Sequence, residues 1–187
     1  MSQLLQARHL FSAEEYEMMG EILGEGARVE LIEGEIVDMV PIGPRHQSYV
    51  NRLTDLFTYL WRGRAVVQVQ GPVQLNDLSE VQPDIALLKK SVDEYENTHP
   101  GPLDILLVVE VSDTTLMRDL EKAKLYAKSG VNQCWIIDMN NRETIVMTNP
   151  TSDGYTTQRR VAANERLEDP IEPGKYFDSS NLFGPAT

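Results

Sequence analysis

The chain has 187 residues and carries 29 acidic against 17 basic side chains, for a formal net charge of -12, with 41% hydrophobic and 25% charged residues. That length supports one domain with a full core and is short for two, and no apolar run reaches the roughly 18–20 residues of a membrane span. The acidic balance argues against a broad phosphate-binding surface of clustered Lys and Arg, although a site that holds divalent cations is itself acidic.

The opening MSQLLQARHLFSAEEYEMM lacks a basic cluster followed by an apolar core and a small-residue cleavage site, so cytoplasmic residence is the expectation. Ser12-Ala13-Glu14-Glu15 is a capping box that predicts a helix to about Leu23, broken by Gly24-Glu25-Gly26. RVELIEGEIVDMV reads as a hairpin around Glu33-Gly34, with Val29, Leu31 and Ile36 at apolar positions. The PIGPR loop leads into a helix from about His46 to Trp61, whose Val50, Leu53, Phe57 and Leu60 form one apolar stripe. AVVQVQG, PVQLN and DIALLKK are strand-like, and with the apolar DILLVVEV they are expected to form one mixed sheet.

Ser112 to Thr115 offer N-caps for a helix through Lys128, which Gly130 stops. NQCWIID and ETIVMTN follow as paired strands, with the lone Cys134 buried in the first, and YTTQRRVAA reads as an edge strand before a trailing segment. The strand, helix, strand unit over residues 104–138 fits a crossover between parallel neighbours, so the fold class is α/β or α+β.

The stretch LLVVEVSDTT places an ionisable Glu110 in a run that is apolar on both faces. Alternation puts Leu103, Ile105, Leu107, Val109 and Val111 on one face and Leu106, Val108, Glu110 and Ser112 on the other. A carboxylate left uncompensated there would cost several kcal/mol. From this strand alone, an ion pair with a nearby Lys or Arg is the simpler account. Asp84 follows Pro83 at the start of another strand. Two carboxylates on neighbouring strands repel unless a cation lies between them, and hard oxygen ligands suit Mg²⁺ or Mn²⁺. On the helix after Glu110, Asp119, Lys122 and Tyr126 border the stripe of Leu116, Leu120, Ala123 and Ala127, so Lys122 can lean over that strand end. Its ordinary alternative is a solvated lysine paired with Asp119 or Tyr126. Leu125 falls opposite the stripe and is a candidate subunit contact.

Glu33-Gly34-Glu35, Met39-x-Pro41, His46, Pro83-Asp84, Glu110-Val111-x-x-Thr114 and Asp119-x-x-Lys122-x-x-x-Tyr126-x-x-x-Gly130-Val131-x-x-x-Trp135-x-x-Asp138 together resemble the Uma-type restriction endonucleases of the PD-(D/E)xK nuclease superfamily. The resemblance runs from about Ser12 to beyond residue 170. It implies a restriction-endonuclease-like core, a mixed central sheet flanked by helices with an N-terminal helix and hairpin, as a single domain over residues 1–187 with its core at about 27–150. It also implies a homodimer. By the same resemblance Asp84 and Glu110 are the metal ligands, with the Val111 backbone carbonyl as a further one and Glu35 as a third or water-mediated ligand. The superfamily's usual lysine lies two residues after the Glu, where this chain has Ser112; the resemblance moves that role to Lys122. His46 is implied to bind phosphate or assist proton transfer; the ordinary alternatives are a polar hairpin residue for Glu35 and a solvent-exposed first-turn helix residue for His46.

The expected activity is Mg²⁺- or Mn²⁺-dependent hydrolysis of DNA phosphodiester bonds. Lys122 would orient the attacking water and offset charge on the phosphorane. Arg45, Arg52, Arg62, Arg64, Lys89 and Lys90 are the basic residues offered to the nucleic-acid backbone. RNA is served by the same chemistry. A catalytically silent dimer that binds a protein or nucleic acid is the reading that the net charge favours.

Overall fold

The computed structural model describes residues 8–24 and 27–184, so Glu25 and Gly26 of the helix-breaking stretch lie outside the described residues. Helix α1 (Ala13–Leu23) starts with the capping box: the Glu15 amide donates to Ser12 Oγ at 3.2 Å and the Ser12 amide to Glu15 Oε2 at 2.9 Å. Strands β1 (Val29–Ile32) and β2 (Glu35–Asp38) pair antiparallel. Their turn puts Glu33 at φ 49° and Gly34 at φ 83°, the paired left-handed conformations of a type I′ hairpin. A Cβ on Gly34 would also stand 2.6 Å from Leu10 Cβ. Gly34→Ala is therefore expected to cost about 2 kcal/mol or more, from left-handed strain plus the clash; an unchanged urea midpoint would contradict this.

Helix α2 (Pro44–Trp61) is followed by β3 (Val66–Val69), β4 (Val73–Asn76), β5 (Ser79–Val81), β6 (Ile85–Leu88) and β7 (Ile105–Ser112). Then come α3 (Leu116–Lys128), β8 (Gln133–Asp138), β9 (Glu143–Thr151), β10 (Gly154–Ala162), β11 (Arg166–Glu168), β12 (Tyr176–Asp178) and a 3₁₀ turn at Ser179–Leu182. No described helix is long and apolar enough to cross a membrane.

The strands do not form the single sheet expected from the sequence. A six-stranded mixed sheet runs β10-β9-β8-β7-β6-β3, a four-stranded sheet runs β2-β1-β5-β4, and β11 pairs with β12. Gln70 at φ 48°, followed by Gly71-Pro72, turns the chain out of the large sheet after β3. The β4-β5 hairpin then joins the N-terminal hairpin through Leu31 opposite Glu80. The parallel crossover is present, since β7 and β8 are parallel neighbours joined by α3.

Two apolar layers cover the large sheet. On one face Leu107, Val109 and Val111 of β7 join Val50, Leu53, Phe57 and Trp61 of α2. On the other, Val108 joins Ala123 and Tyr126 of α3, together with Val73 and Val81 of the smaller sheet. Ile105 lies in this second layer rather than with Leu107, and Leu103 is exposed. The cause is a register irregularity: Leu87 pairs with Leu107 but Leu88 with Ile105, so Leu106 is skipped and the alternation shifts. Leu125 is buried in the same layer, because α3 is covered by the smaller sheet as well as the large one. The packing of one chain thus accounts for it without a subunit contact.

Candidate active site

Ile85 pairs with Val109 in the antiparallel β6-β7 ladder, and one further step in register sets Asp84 opposite Glu110. Opposed residues share a face, so both carboxylates meet at the strand ends on the α3 side. The Asp84 amide donates to Glu110 Oε2 at 3.3 Å, and the Val111 amide donates to Asp84 Oδ2 at 2.8 Å. Helix α3 brings its polar border over the same point. Tyr126 donates its hydroxyl to Glu110 Oε1 at 2.6 Å, and Lys122 Nζ lies 3.2 Å from that oxygen.

Lys122 also donates to Glu30 Oε1 at 2.6 Å and to the Gln82 carbonyl at 3.0 Å. Two of its three N–H donors are thereby hydrogen-bonded, and the ammonium is ion-paired with Glu110 as well. Lys122 is not the solvated lysine of the ordinary alternative, and Asp119 turns instead to Thr115, whose hydroxyl donates to it at 2.7 Å.

Asp84, Glu110 and Lys122 line one cavity of about 240 Å³, together with Glu30, His46, Val111, Asp119, Arg28 and Arg118. Burial pushes the Glu110 carboxyl up to about 7, with the Lys122 ammonium opposing and the Asp84 charge reinforcing that rise. Burial acts to lower Lys122, but the Glu110 and Glu30 charges outweigh it and hold the ammonium protonated above its ordinary range.

His46, in the first turn of α2, places Nε2 2.9 Å from Asp84 Oδ2. That hydrogen bond raises the imidazole's pKa, burial opposes it, and the Asp84, Glu110 and Asp119 charges add to the rise. Asp84 Oδ2 is thus occupied by the Val111 amide and His46, whereas Oδ1 has, among the described residues, only Gln70 Nε2 at 3.5 Å. Glu110 divides in the same way, with Oε1 held by Tyr126 and Lys122 and Oε2 hydrogen-bonded, among the described residues, by the Asp84 amide alone. Each carboxylate keeps one lightly engaged oxygen, a donor set that fits a hard divalent cation.

Glu35 does not join this group. It stands beside the turn, opposite Ile32, with its exposed carboxylate 2.7 Å from Arg8 Nη1. Glu30, nearer the other end of the hairpin and opposite Val37, takes the buried acidic place. Its Oε1 also accepts from the Gln82 amide at 2.7 Å, which ties β1 to the segment that carries Asp84. Glu30 was legible only as the acid in Val-Glu-Leu-Ile, a smaller version of the Glu110 signal.

The basic residues singled out in the sequence are dispersed. Arg45 pairs with Asp113 and Arg64 with Glu172, Arg52 lies over the Tyr49 ring, and Lys89 and Lys90 are exposed away from the cavity lining. The arginines at the cavity are Arg28 and Arg118, the latter donating to the Asp38 carbonyl at 2.9 Å.

The family model described as "Uma2: Putative restriction endonuclease" matches residues 13–176. Among solved structures, the chain is similar to "a putative nuclease belonging to DUF820" from Anabaena variabilis, with a TM-score of 0.68 at 14% identity over 92% of this chain and 97% of the other. At that identity the likeness speaks for the fold. No curated protein matches the chain.

Proposed function

The chain belongs to the Uma2 family of restriction-endonuclease-like proteins, and from that membership and the cavity we propose that it is a divalent-metal-dependent endonuclease hydrolysing DNA phosphodiester bonds. The observation that carries the proposal is the meeting of Asp84 and Glu110, each with one lightly engaged oxygen, in a cavity that also holds Lys122. Bound between them, Mg²⁺ or Mn²⁺ would supply Lewis acidity, lowering the pKa of a water and polarising the scissile phosphate.

Asp84 and Glu110 would hold the ion, with the Val111 carbonyl as the proposed further ligand. The Val111 amide and His46 fix the Asp84 carboxylate, and Tyr126 fixes that of Glu110, so both are oriented before any ligand arrives. Lys122 contributes positive charge beside the reacting phosphate. Held by Glu30 and the Gln82 carbonyl and ion-paired with Glu110, it acts as a fixed charge and as a brace for Glu110. Arg28 and Arg118, at the cavity wall, are the proposed phosphate contacts, giving local attraction in a chain whose net charge is -12. Assembly as a homodimer belongs to the same proposal; light scattering should then give twice the chain mass of 21.1 kDa.

Supercoiled plasmid incubated with purified protein tests the activity. Nicking that requires Mg²⁺ or Mn²⁺ and stops with chelator is expected. Metal-independent or absent cleavage of DNA would reject the reading, and cleavage confined to RNA would move the substrate class.

The pH dependence follows from Glu110. Cation binding needs its ionised form, so Mg²⁺ affinity should rise about tenfold per pH unit below 7 and level off above it. Because the folded-state pKa lies above the ordinary 4.5, the stability linked to this group is present below pH 4.5 and is lost as pH rises through about 7. Bound Mg²⁺ offsets that loss. Calorimetric titration between about pH 5.5 and 8 measures the slope, and an affinity independent of pH would contradict it.

A further inference from the structure

The four-stranded sheet has a face turned away from α3, and α1 covers it. The Tyr16 hydroxyl donates to the Val29 carbonyl at 2.9 Å, and the Ala13 amide donates to the Asp77 carbonyl at 2.7 Å. Leu31, Glu80 and Gln74 are cross-strand partners and share this face, whereas Glu30 and Val81 point to the other.

Glu80 therefore carries a carboxylate into the layer between sheet and helix. It is 7% exposed, and its Oε2 is sealed from solvent with no hydrogen-bond partner among the described residues. A carboxylate oxygen in that state calls for a partner, because an uncompensated buried charge costs several kcal/mol. An oxygen of Glu80, an oxygen of Glu17 on α1 and a ring nitrogen of His99, in the loop before β7, lie within 4.8 Å of one another. His99 Nε2 and Glu17 Oε1 are 4.0 Å apart, too far for a hydrogen bond. Ligand atoms of one tetrahedral ion with bonds of about 2.0–2.2 Å stand roughly 3.3–3.6 Å apart. Small movements of the two exposed side chains, Glu17 and His99, close the difference.

We propose that Glu17, Glu80 and His99 form a second divalent-cation site, of the Zn²⁺ class, that pins α1 and the loop before β7 to the outer face of the four-stranded sheet. One imidazole with two carboxylates suits Zn²⁺ better than Mg²⁺, and the exposed side leaves a position for water. The role is structural. Leu31, opposite Glu80, is the neighbour of Glu30, so the ion would brace from behind the strand that presents Glu30 to the candidate active site.

Calorimetry of the full, chelator-stripped chain with Zn²⁺ alone tests the site, with thermal denaturation as the second readout. His99→Ala and Glu17→Gln are the variants, since both side chains are exposed and their loss leaves packing intact. Asp84→Asn separates this ion from any at the candidate active site. The expected result is one Zn²⁺ retained in Asp84→Asn, bound at least about tenfold more weakly in His99→Ala and Glu17→Gln, with the zinc-dependent rise in Tm reduced in both. Zinc binding that neither His99→Ala nor Glu17→Gln weakens, or no binding beyond what Asp84→Asn abolishes, would overturn the proposal.

Discussion

Asp84→Asn is expected to reduce Mg²⁺-dependent plasmid cleavage by about a thousandfold or more while leaving the fold intact, because the metal-borne part of transition-state stabilisation is worth several kcal/mol. Asn keeps the shape of Asp and one carbonyl oxygen to accept from the Val111 amide, so the strand-end geometry survives. That same oxygen position faces His46, so what is lost is the negative charge and the lightly engaged Oδ1 proposed to hold the cation. Glu110→Gln should fall in the same range, and the double variant should fall little further, because the two are proposed ligands of one ion and would act as a unit. Single-turnover cleavage with circular dichroism as the folding control makes the comparison. A loss of less than about tenfold in Asp84→Asn would place the chemistry elsewhere.

Lys122→Met should show a second large effect, on stability. The ammonium stands 2.6 Å from Glu30 and 3.2 Å from Glu110, and both carboxylates are buried. Removing it strands two acids in the interior, which is expected to cost about 3–5 kcal/mol. Much of that is the penalty of unpaired charge, so Lys122→Met/Glu30→Gln should be more stable than Lys122→Met alone. Urea denaturation of the four members of this cycle measures the coupling. Strict additivity of the two single substitutions would show that the pair is not an energetic unit.

The parts of this arrangement differ in how far one sequence reveals them. Glu110 declares itself because an acid inside LLVVEV demands compensation, and Asp84 because Pro83 marks a strand start. Helical spacing sets Lys122 and Tyr126 on the border of α3, and both reach Glu110. What links these residues is strand register, which depends on partners distant in the chain. The skipped Leu106 could not be read for that reason, and it moves Ile105 to the opposite layer. Glu35 stands exposed beside the turn while Glu30 is buried at the cavity, for a related reason. VELI reads as a half-buried hairpin strand, yet β1 sits in a sheet covered on one side by α3 and on the other by α1, so its acid is as enclosed as Glu110. The same hidden second sheet explains the burial of Leu125. Arg28 and Arg118 reach the cavity from β1's flank and from α3, and no local pattern distinguishes them from the other arginines.

The most direct measurement is anomalous diffraction from crystals of the protein soaked in Mn²⁺. A peak is expected within coordinating distance of both Asp84 and Glu110, at oxygen distances of about 2.0–2.3 Å, and none in Asp84→Asn crystals treated alike. A fully soaked crystal with no density between those carboxylates, or with manganese only at other acidic groups, would contradict it.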